Sequence, residues 1–185
     1  RLCNMGVPPY LVADSLLGSI SQRLVRKLCF MAGIPWEGLT HDLSKYSPVE
    51  FWLGSKYYLG YRSPNDGERT EKGYSLAWMH HKGRNKHHPE YWTDFSKEKG
   101  DAFAPVRMPI KYVAEMFCDR LAACKIYHGE NYTDADPYNY YQRSIKKIIV
   151  HPETSEILEK MLGVLKDSGE DAAFKYVREV LKDGT

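Results

Sequence analysis

The stretch after Met108-Pro109 constrains the fold more than any other part of the chain. Its apolar residues recur every three or four positions, the spacing that places side chains on one face of an α-helix. They are Ile110, Val113, Met116, Phe117, Leu121 and Cys124. Asp119 falls in the middle of this run and Gly129 follows its end. The pattern predicts a long amphipathic helix with an acidic residue near its centre.

Seven further segments combine helical spacing with residues that start or stop a helix. They cover residues 15–31, 39–45, 48–59, 68–83, 136–150, 152–166 and 170–182. Asp14 is the predicted cap of the first segment, and Ser47 with Glu50 forms a capping box at the start of the third. The short second segment carries the adjacent pair His41 and Asp42.

The remaining segments are predicted to be turns and loops. Residues 35–38 form a turn, residues 60–67 a loop rich in small and Asx residues, and residues 84–106 a long, partly ordered loop. No segment shows a convincing set of alternating strands, and there is no repeat or linker. We therefore expect an all-α protein with one domain over residues 1–185, ending in helices over residues 136–182.

Charge and hydropathy exclude several classes of protein. The 185 residues carry 26 Lys and Arg against 24 Asp and Glu, a net charge of +2. This balance makes nucleic acid an improbable partner and favours a small one. No apolar run approaches the roughly 18 residues that cross a bilayer, and the first residues lack the order of a signal peptide. We expect a cytoplasmic protein whose cysteines are reduced thiols packed as small apolar side chains.

Three short segments could carry chemistry: residues 40–45, 80–88 and 115–120. Together they offer imidazoles and carboxylates, the ligands that suit Mn, Fe, Co, Ni or Zn. Each segment also has a structural explanation. The His-Asp pair could be a helix cap or an ion pair, the His-rich run a solvated loop, and Asp119-Arg120 part of a salt bridge on an exposed face.

The combination of these segments resembles the HD-domain superfamily, whose helical core presents a His-Asp doublet and a later helical Asp to one or two metal ions. The span from Gly33 to Ala123 is similar to a bacterial and phage branch of it. The blocks that carry this similarity are GIPWEGLTHDLSKYSPVEFW, GYSLAWMHHKGRNKHHPEYW and MPIKYVAEMFCDRLAA. The resemblance implies an HD-like helical fold whose metal-site core covers about residues 33–123.

The resemblance also implies a set of metal ligands. His41, Asp42 and Asp119 would be the core ligands, while His81 and His88 would fill or support a second metal position. His80 and His87 are the second choice in each His pair, because neighbouring side chains on a regular helix point about 100° apart. A ligating imidazole normally donates its other N–H to a carboxylate or carbonyl, so a supporting acceptor is expected as well.

Several residues are candidates for that support and for substrate binding. Either Glu90 or Glu115 could accept the second N–H of a ligating imidazole. Lys45 is the candidate catalytic cation, since it could clamp the phosphate oxygens of a substrate. The candidate substrate-binding residues are Arg84, Asn85, His87 and Arg120.

Three functions remain open from the sequence. The first is a metal-dependent phosphohydrolase for a nucleotide or other small phosphate ester, since a bound divalent ion lowers the pKa of water and polarises a phosphoryl oxygen. The second is a di-iron oxygenase of the HD type. The third is a non-catalytic helical interaction protein with a degenerate site, because residues 1–40 contain no His where HD proteins usually supply one, offering Gln22 and Arg23 instead.

Overall fold

The computed structural model describes residues 9–58, 63–97 and 102–184. This part of the chain is mainly helical, with one small two-stranded sheet. The predicted helical character is therefore confirmed, while the two strands depart from the all-α prediction. The described residues form two compact units, which we describe separately: unit 1 comprises those of residues 1–23 and 42–85, and unit 2 those of residues 24–41 and 86–185.

The described residues form eight α-helices and two short strands. The helices are α1 (Pro9–Ala32), α2 (Pro35–Thr40), α3 (Pro48–Lys56), α4 (Pro64–Lys72), α5 (Leu76–Lys82), α6 (Ile110–His128), α7 (Asp136–Ser144) and α8 (Pro152–Asp183). The strands are β1 (Thr93–Phe95) and β2 (Phe103–Pro105), paired antiparallel. Single 3-10 turns cover Leu43–Tyr46, Pro89–Tyr91, Gly129–Asn131 and Ile145–Lys147. No helix within these ranges is long and apolar enough to pass through a membrane.

The core of unit 2 lies on α6, as the periodicity after Met108 predicted. Its apolar face is buried, and Phe117 meets Phe174 of α8 edge to face with ring centroids 5.8 Å apart. Burying one large apolar side chain in this way stabilises the fold by about 1.5–3 kcal/mol. Cys29, Cys118 and Cys124 are buried free thiols, as expected. This packing fixes the position of α6, the helix that carries Glu115 and Asp119.

The segment before His41 is helical rather than a turn. Pro35 occupies the first turn of α2, where its fixed φ favours a helix and its missing N–H is not needed. Helix α2 lies so close to α1 that a Cβ on Gly38 would be 2.6 Å from Cys29 Cβ. Only glycine permits this approach. Helix α2 then ends at Thr40, so the predicted helix over residues 39–45 is wrong.

In unit 1, two Ser-Pro pairs start helices. Ser47 Oγ accepts a hydrogen bond from the Glu50 backbone N–H at 3.3 Å, which confirms the predicted start of α3. Ser63 Oγ likewise accepts from the Asn65 backbone N–H at 3.3 Å, so α4 begins inside the predicted loop over residues 60–67. Helix α3 ends at Lys56, before its predicted end at residue 59, and residues 59–62 lie outside the described part.

The predicted helix over residues 68–83 is two helices. Gly73, at φ +81°, ends α4, and Ser75 caps α5 through the Trp78 backbone N–H at 3.0 Å. Glu68 of α4 joins the two, because its Oε2 accepts from Ser75 Oγ at 2.8 Å and from the Ala77 backbone N–H at 3.3 Å. The side chain of Glu68 therefore fixes the start of the helix that carries His80 and His81.

Other boundaries differ from the predictions in physically understandable ways. Helix α1 begins at Pro9, so Asp14 lies inside it and is not its cap. The predicted loop over residues 84–106 contains the antiparallel strands β1 and β2, and residues 98–101 between them lie outside the described part. Helix α7 ends at Ser144 rather than residue 150. The predicted break between the last two helices is confirmed at Gly169, where φ 80° and ψ 178° interrupt α8.

Candidate functional site

In unit 2, α2 and α6 hold one imidazole between two carboxylates. Glu115 and Asp119 lie one helical turn apart on α6, so they share a face. His41, at the C-terminal end of α2, is 2% exposed. Its Nδ1 lies 2.9 Å from Glu115 Oε1, and its Nε2 lies 3.4 Å from Asp119 Oδ1. The site thus contains a carboxylate–imidazole–carboxylate chain, which we call the His41 triad.

The hydrogen-bond chemistry of the His41 triad defines its protonation. An ionised carboxylate only accepts, so His41 Nδ1 carries the hydrogen that Glu115 binds. In a neutral imidazole this leaves a lone pair on Nε2, facing a second acceptor on Asp119. Two acceptors this close repel each other unless a proton or a cation lies between them. The triad therefore suits either an imidazolium or a bound metal ion.

A second buried imidazole shares the same glutamate. His87 is 1% exposed, and its Nδ1 lies 3.2 Å from Glu115 Oε1. The rings of His41 and His87 are 4.5 Å apart, and His88 lies beside His87 at 4.2 Å. Ligand atoms of His41, His87 and Glu115 all lie within 4.8 Å of one another, close enough to hold a metal ion. The structure thus brings His87, the second choice of its pair, to His41.

The charge of Glu115 follows from these contacts. Burial raises the pKa of its carboxyl group, but the hydrogen bonds from His41 and His87 and the attraction of both rings outweigh burial, so the net pKa lies below its usual value. Glu115 is therefore ionised at neutral pH and orients both imidazoles. Of the two acceptors that the sequence predicted, the structure places Glu115 against an imidazole. Glu90 instead has a buried Oε2 that lacks a hydrogen-bond partner within the described chain.

Unit 1 contains a second chain of the same chemistry, the His81 triad. His81 Nδ1 lies 2.8 Å from Glu50 Oε2, and His81 Nε2 lies 3.3 Å from Asp42 Oδ1. The neighbouring His80 also reaches Glu50, with Nδ1 2.6 Å from Oε1. Burial raises the pKa of Glu50, and the hydrogen bonds from His81 and His80 lower it further than burial raises it. Imidazole between two carboxylates therefore recurs in both units.

The backbone of Asp42 explains how adjacent residues of the doublet serve different triads. Asp42 is buried and has φ 53° and ψ 25°, a left-handed conformation that Asp tolerates better than most residues. Helix α2 has already ended at Thr40, and with Asp42 left-handed the two neighbouring side chains diverge, so His41 contacts Glu115 while Asp42 contacts His81. Lys45, 55% exposed at its side chain, lies with Nζ 2.6 Å from Asp42 Oδ2.

The predicted substrate-binding residues lie in different environments. Arg84 is exposed and donates to the His80 carbonyl at 3.3 Å. Asn85 is buried, and its Nδ2 donates to Ser44 Oγ at 2.7 Å. His87 belongs to the buried cluster described above. Arg120 lies beside Asp119 on α6, with its guanidinium carbon 5.2 Å from the centre of the Tyr141 ring.

Sequence reasoning missed the role of Glu50. The capping-box pattern assigned its side chain to the start of α3, and Ser47 does accept the Glu50 backbone N–H. The carboxylate, however, is taken by His80 and His81, which follow 30 and 31 residues later. A pair of adjacent histidines with two N–H groups to satisfy is the one signal in the sequence that a nearby acid was required.

Comparison with known proteins identifies the family. Residues 21–164 match DUF5662, a family of unknown function. The chain belongs to this family. The matched residues include every member of both triads. A 38-residue stretch is 50% identical to the type II secretion system protein HxcR of Pseudomonas aeruginosa, which covers 20% of this chain and 8% of that protein. The chain thus spans less than a tenth of that relative, and no solved structure matches.

Proposed function

We propose that this member of DUF5662 is a metal-dependent phosphohydrolase acting on a nucleotide or another small phosphate ester. The observation that carries the proposal is the recurrence of imidazole between two carboxylates in the His41 and His81 triads. One glutamate orients each ring through Nδ1, and each Nε2 faces an aspartate. This arrangement favours a bound cation, and carboxylate support of ligating histidines is a general property of metal sites.

The available donors fit a first-row divalent ion. Imidazole nitrogens and carboxylate oxygens suit Mn, Fe, Co, Ni or Zn. In unit 2 the ion would be held by His41 and Asp119, with His87 beside the His41 ring, and in unit 1 by Asp42 and His81. When bound, one or two such ions would lower the pKa of water and polarise a phosphoryl oxygen.

The protein's own residues supply orientation and charge. Glu115 and Glu50 hold hydrogens on Nδ1 of the imidazoles they contact, so each ring offers Nε2 as the ligand atom. Lys45 lies against Asp42 with more than half of its side chain in solvent. We therefore propose that Lys45 binds the phosphate oxygens of the substrate in unit 1. To do so it would give up its ion pair with Asp42.

The HD-domain resemblance supports this proposal but leaves one ligand position to be filled. HD proteins usually take a histidine from the helix before the doublet, and residues 1–40 have none. His87 is buried, shares Glu115 with His41, and lies 4.5 Å from the His41 ring. We propose that His87 replaces the absent upstream ligand.

Elemental analysis combined with a phosphatase screen tests the proposal. Protein purified without added metal should contain a divalent transition metal, and it should hydrolyse a phosphate ester with that ion restored. Asp119→Ala should lose both properties. The matched control is Asp136→Ala, because Asp136 also pairs with a histidine of α6, His128 at 3.0 Å, but at the end of the helix.

Three outcomes separate the candidate functions. Metal and turnover that both depend on Asp119 support the phosphohydrolase. A second outcome is bound iron, no phosphatase activity, and a change in visible absorption when the anaerobic protein is exposed to air. That outcome would contradict the phosphohydrolase and favour the di-iron oxygenase. Absence of bound metal and of turnover with every supplied ion would leave a helical interaction protein.

A further inference from the structure

Arg120 is the arginine of α6, and the described residues do not supply the partner that its charge normally requires. Its Nε is buried and has no hydrogen-bond acceptor among them, and none of their carboxylates forms an ion pair with its guanidinium. The neighbouring Asp119 pairs with His41 instead. The structural explanation considered for Asp119-Arg120, a salt bridge on an exposed face, is therefore not what this part of the chain shows.

A buried guanidinium N–H without an acceptor is unfavourable. Leaving a charged donor unsatisfied costs more than a neutral hydrogen bond contributes, and native proteins satisfy nearly all such groups. Where the protein supplies no acceptor, a ligand is one means of supplying it. Arginine is suited to this, because its planar set of N–H groups binds two oxygens of a phosphate or carboxylate at once.

Two aromatic rings hold the guanidinium in place. The guanidinium carbon lies 5.2 Å from the centre of the Tyr141 ring and 6.0 Å from that of Tyr140, both on α7. Tyr141 is itself buried and fixed by a hydrogen bond to Ser155 at 2.7 Å. The rings stabilise the cation without neutralising its charge. The side chain is thus pre-organised to bind an anion.

We propose that Arg120 is the phosphate-binding residue of unit 2, with its guanidinium, held by the Tyr140 and Tyr141 rings, donating to the phosphoryl oxygens. The position of Arg120 is suitable, since it follows Asp119 in the His41 triad on the same helix. The role of Arg120 in catalysis rests on the proposed function. Binding of the anion itself requires no metal and no turnover.

Calorimetric titration of inorganic phosphate into the metal-free, full-length protein tests the inference. Loss of one charge-assisted bidentate contact should weaken binding by about 10-fold or more in Arg120→Gln. Arg120→Lys should retain part of the affinity, because it keeps the charge but not the fork of donors. The matched control is Arg107→Gln, which removes an arginine of the same unit that already pairs with Glu153 at 2.8 Å, and it should bind phosphate as the unmodified protein does.

The inference fails if the unmodified protein does not bind phosphate, or if Arg120→Gln and Arg107→Gln bind it equally while melting at the same temperature. Failure of the phosphohydrolase proposal has a different signature. In that case phosphate binding would still depend on Arg120, while no metal and no turnover would be found. If turnover exists, Arg120→Gln should raise KM for the phosphate ester more than it lowers kcat.

Discussion

His41 Nδ1 lies 2.9 Å from Glu115 Oε1, although 74 residues separate the two in the chain. Each partner depends on the other. The carboxylate could not remain ionised at this depth without the N–H groups that it accepts, and the imidazole could not keep one tautomer without a fixed acceptor. The ionised state of Glu115 on α6 and the orientation of the His41 ring at the end of α2 therefore depend on each other.

Replacing Glu115 with glutamine tests this coupling. Glu115→Gln keeps the shape of the side chain but removes its charge, and loss of such an outer-shell partner typically weakens metal affinity about 10–100-fold. Competition with a chromogenic chelator measures the affinity. Glu153→Gln is the control, because Glu153 pairs with an exposed arginine. Equal affinities in the two variants would show that Glu115 does not support a metal ligand.

The left-handed backbone of Asp42 predicts an unusual order of stability. Asp42→Gly and Asp42→Ala both remove the carboxylate, but only glycine adopts φ 53° without strain. We expect Asp42→Gly to be more stable than Asp42→Ala by about 0.5–1 kcal/mol, the reverse of the usual order for these residues. Urea denaturation measures the difference. Alanine proving the more stable would argue against the left-handed conformation.

Glu68 predicts a dependence of stability on pH. Burial raises the pKa of this carboxyl group, but hydrogen bonds from Ser75, the Ala77 backbone and Lys72 outweigh it, so its pKa in the folded protein lies below the unfolded value. Its contribution is therefore present above the unfolded pKa and lost as the pH falls through the folded pKa. Glu68→Gln should destabilise the protein by about 1–3 kcal/mol at pH 7.

The same comparison at low pH provides the check on Glu68. The difference in unfolding free energy between Glu68→Gln and the unmodified protein should shrink as the pH falls below about 4.3, the pKa of a glutamate side chain in the unfolded protein. Glu71→Gln is the control, because Glu71 lies on the same helix but its side chain is 57% exposed. A difference that stays constant from pH 7 to pH 3 would contradict the assigned role.

Two glycines in helices are expected to respond oppositely to alanine. A Cβ at Gly38 would be 2.6 Å from Cys29 Cβ and 3.3 Å from the Arg26 carbonyl oxygen, whereas nothing lies within 4 Å of one at Gly54. Gly38→Ala should therefore destabilise the protein by about 1–3 kcal/mol. Gly54→Ala, in the interior of α3, should stabilise it by about 0.5–1 kcal/mol. Thermal denaturation of both variants measures this, and a stable Gly38→Ala would contradict the close contact of α1 and α2.

The sequence predicted the parts of the fold that local chemistry determines. The length and buried face of α6 follow from periodicity, and Ser47 starts α3 because its hydroxyl satisfies a backbone N–H. Ser63-Pro64 carries the same signal, but the Asx and glycine residues after it favoured a loop. Strands β1 and β2 were missed because three residues each leave no room for a visible alternation, and Pro105 in β2 is a residue that argues against a strand.

The candidate site was predictable in its residue types but not in its pairings. His41, Asp119 and Glu115 could be singled out, and the structure brings them together. The choice between His87 and His88 depended on a regular helix, whereas the chain there is irregular up to the 3-10 turn at Pro89. The contact of Glu50 with His81 arises from the packing of α3 against α5, which no local pattern encodes.

The backbone of Gly169 introduces a kink into α8, which would otherwise be a straight helix. Residues on both sides of that kink are buried, Leu165 before it and Phe174 after it. A φ of 80° with a ψ of 178° is a combination that only glycine reaches readily. A residue with a side chain would adopt this backbone only with strain, although the backbone here is what lets Leu165 and Phe174 both be buried. Because Gly169 has no side chain, the two halves of α8 can pack against the same hydrophobic core at different angles.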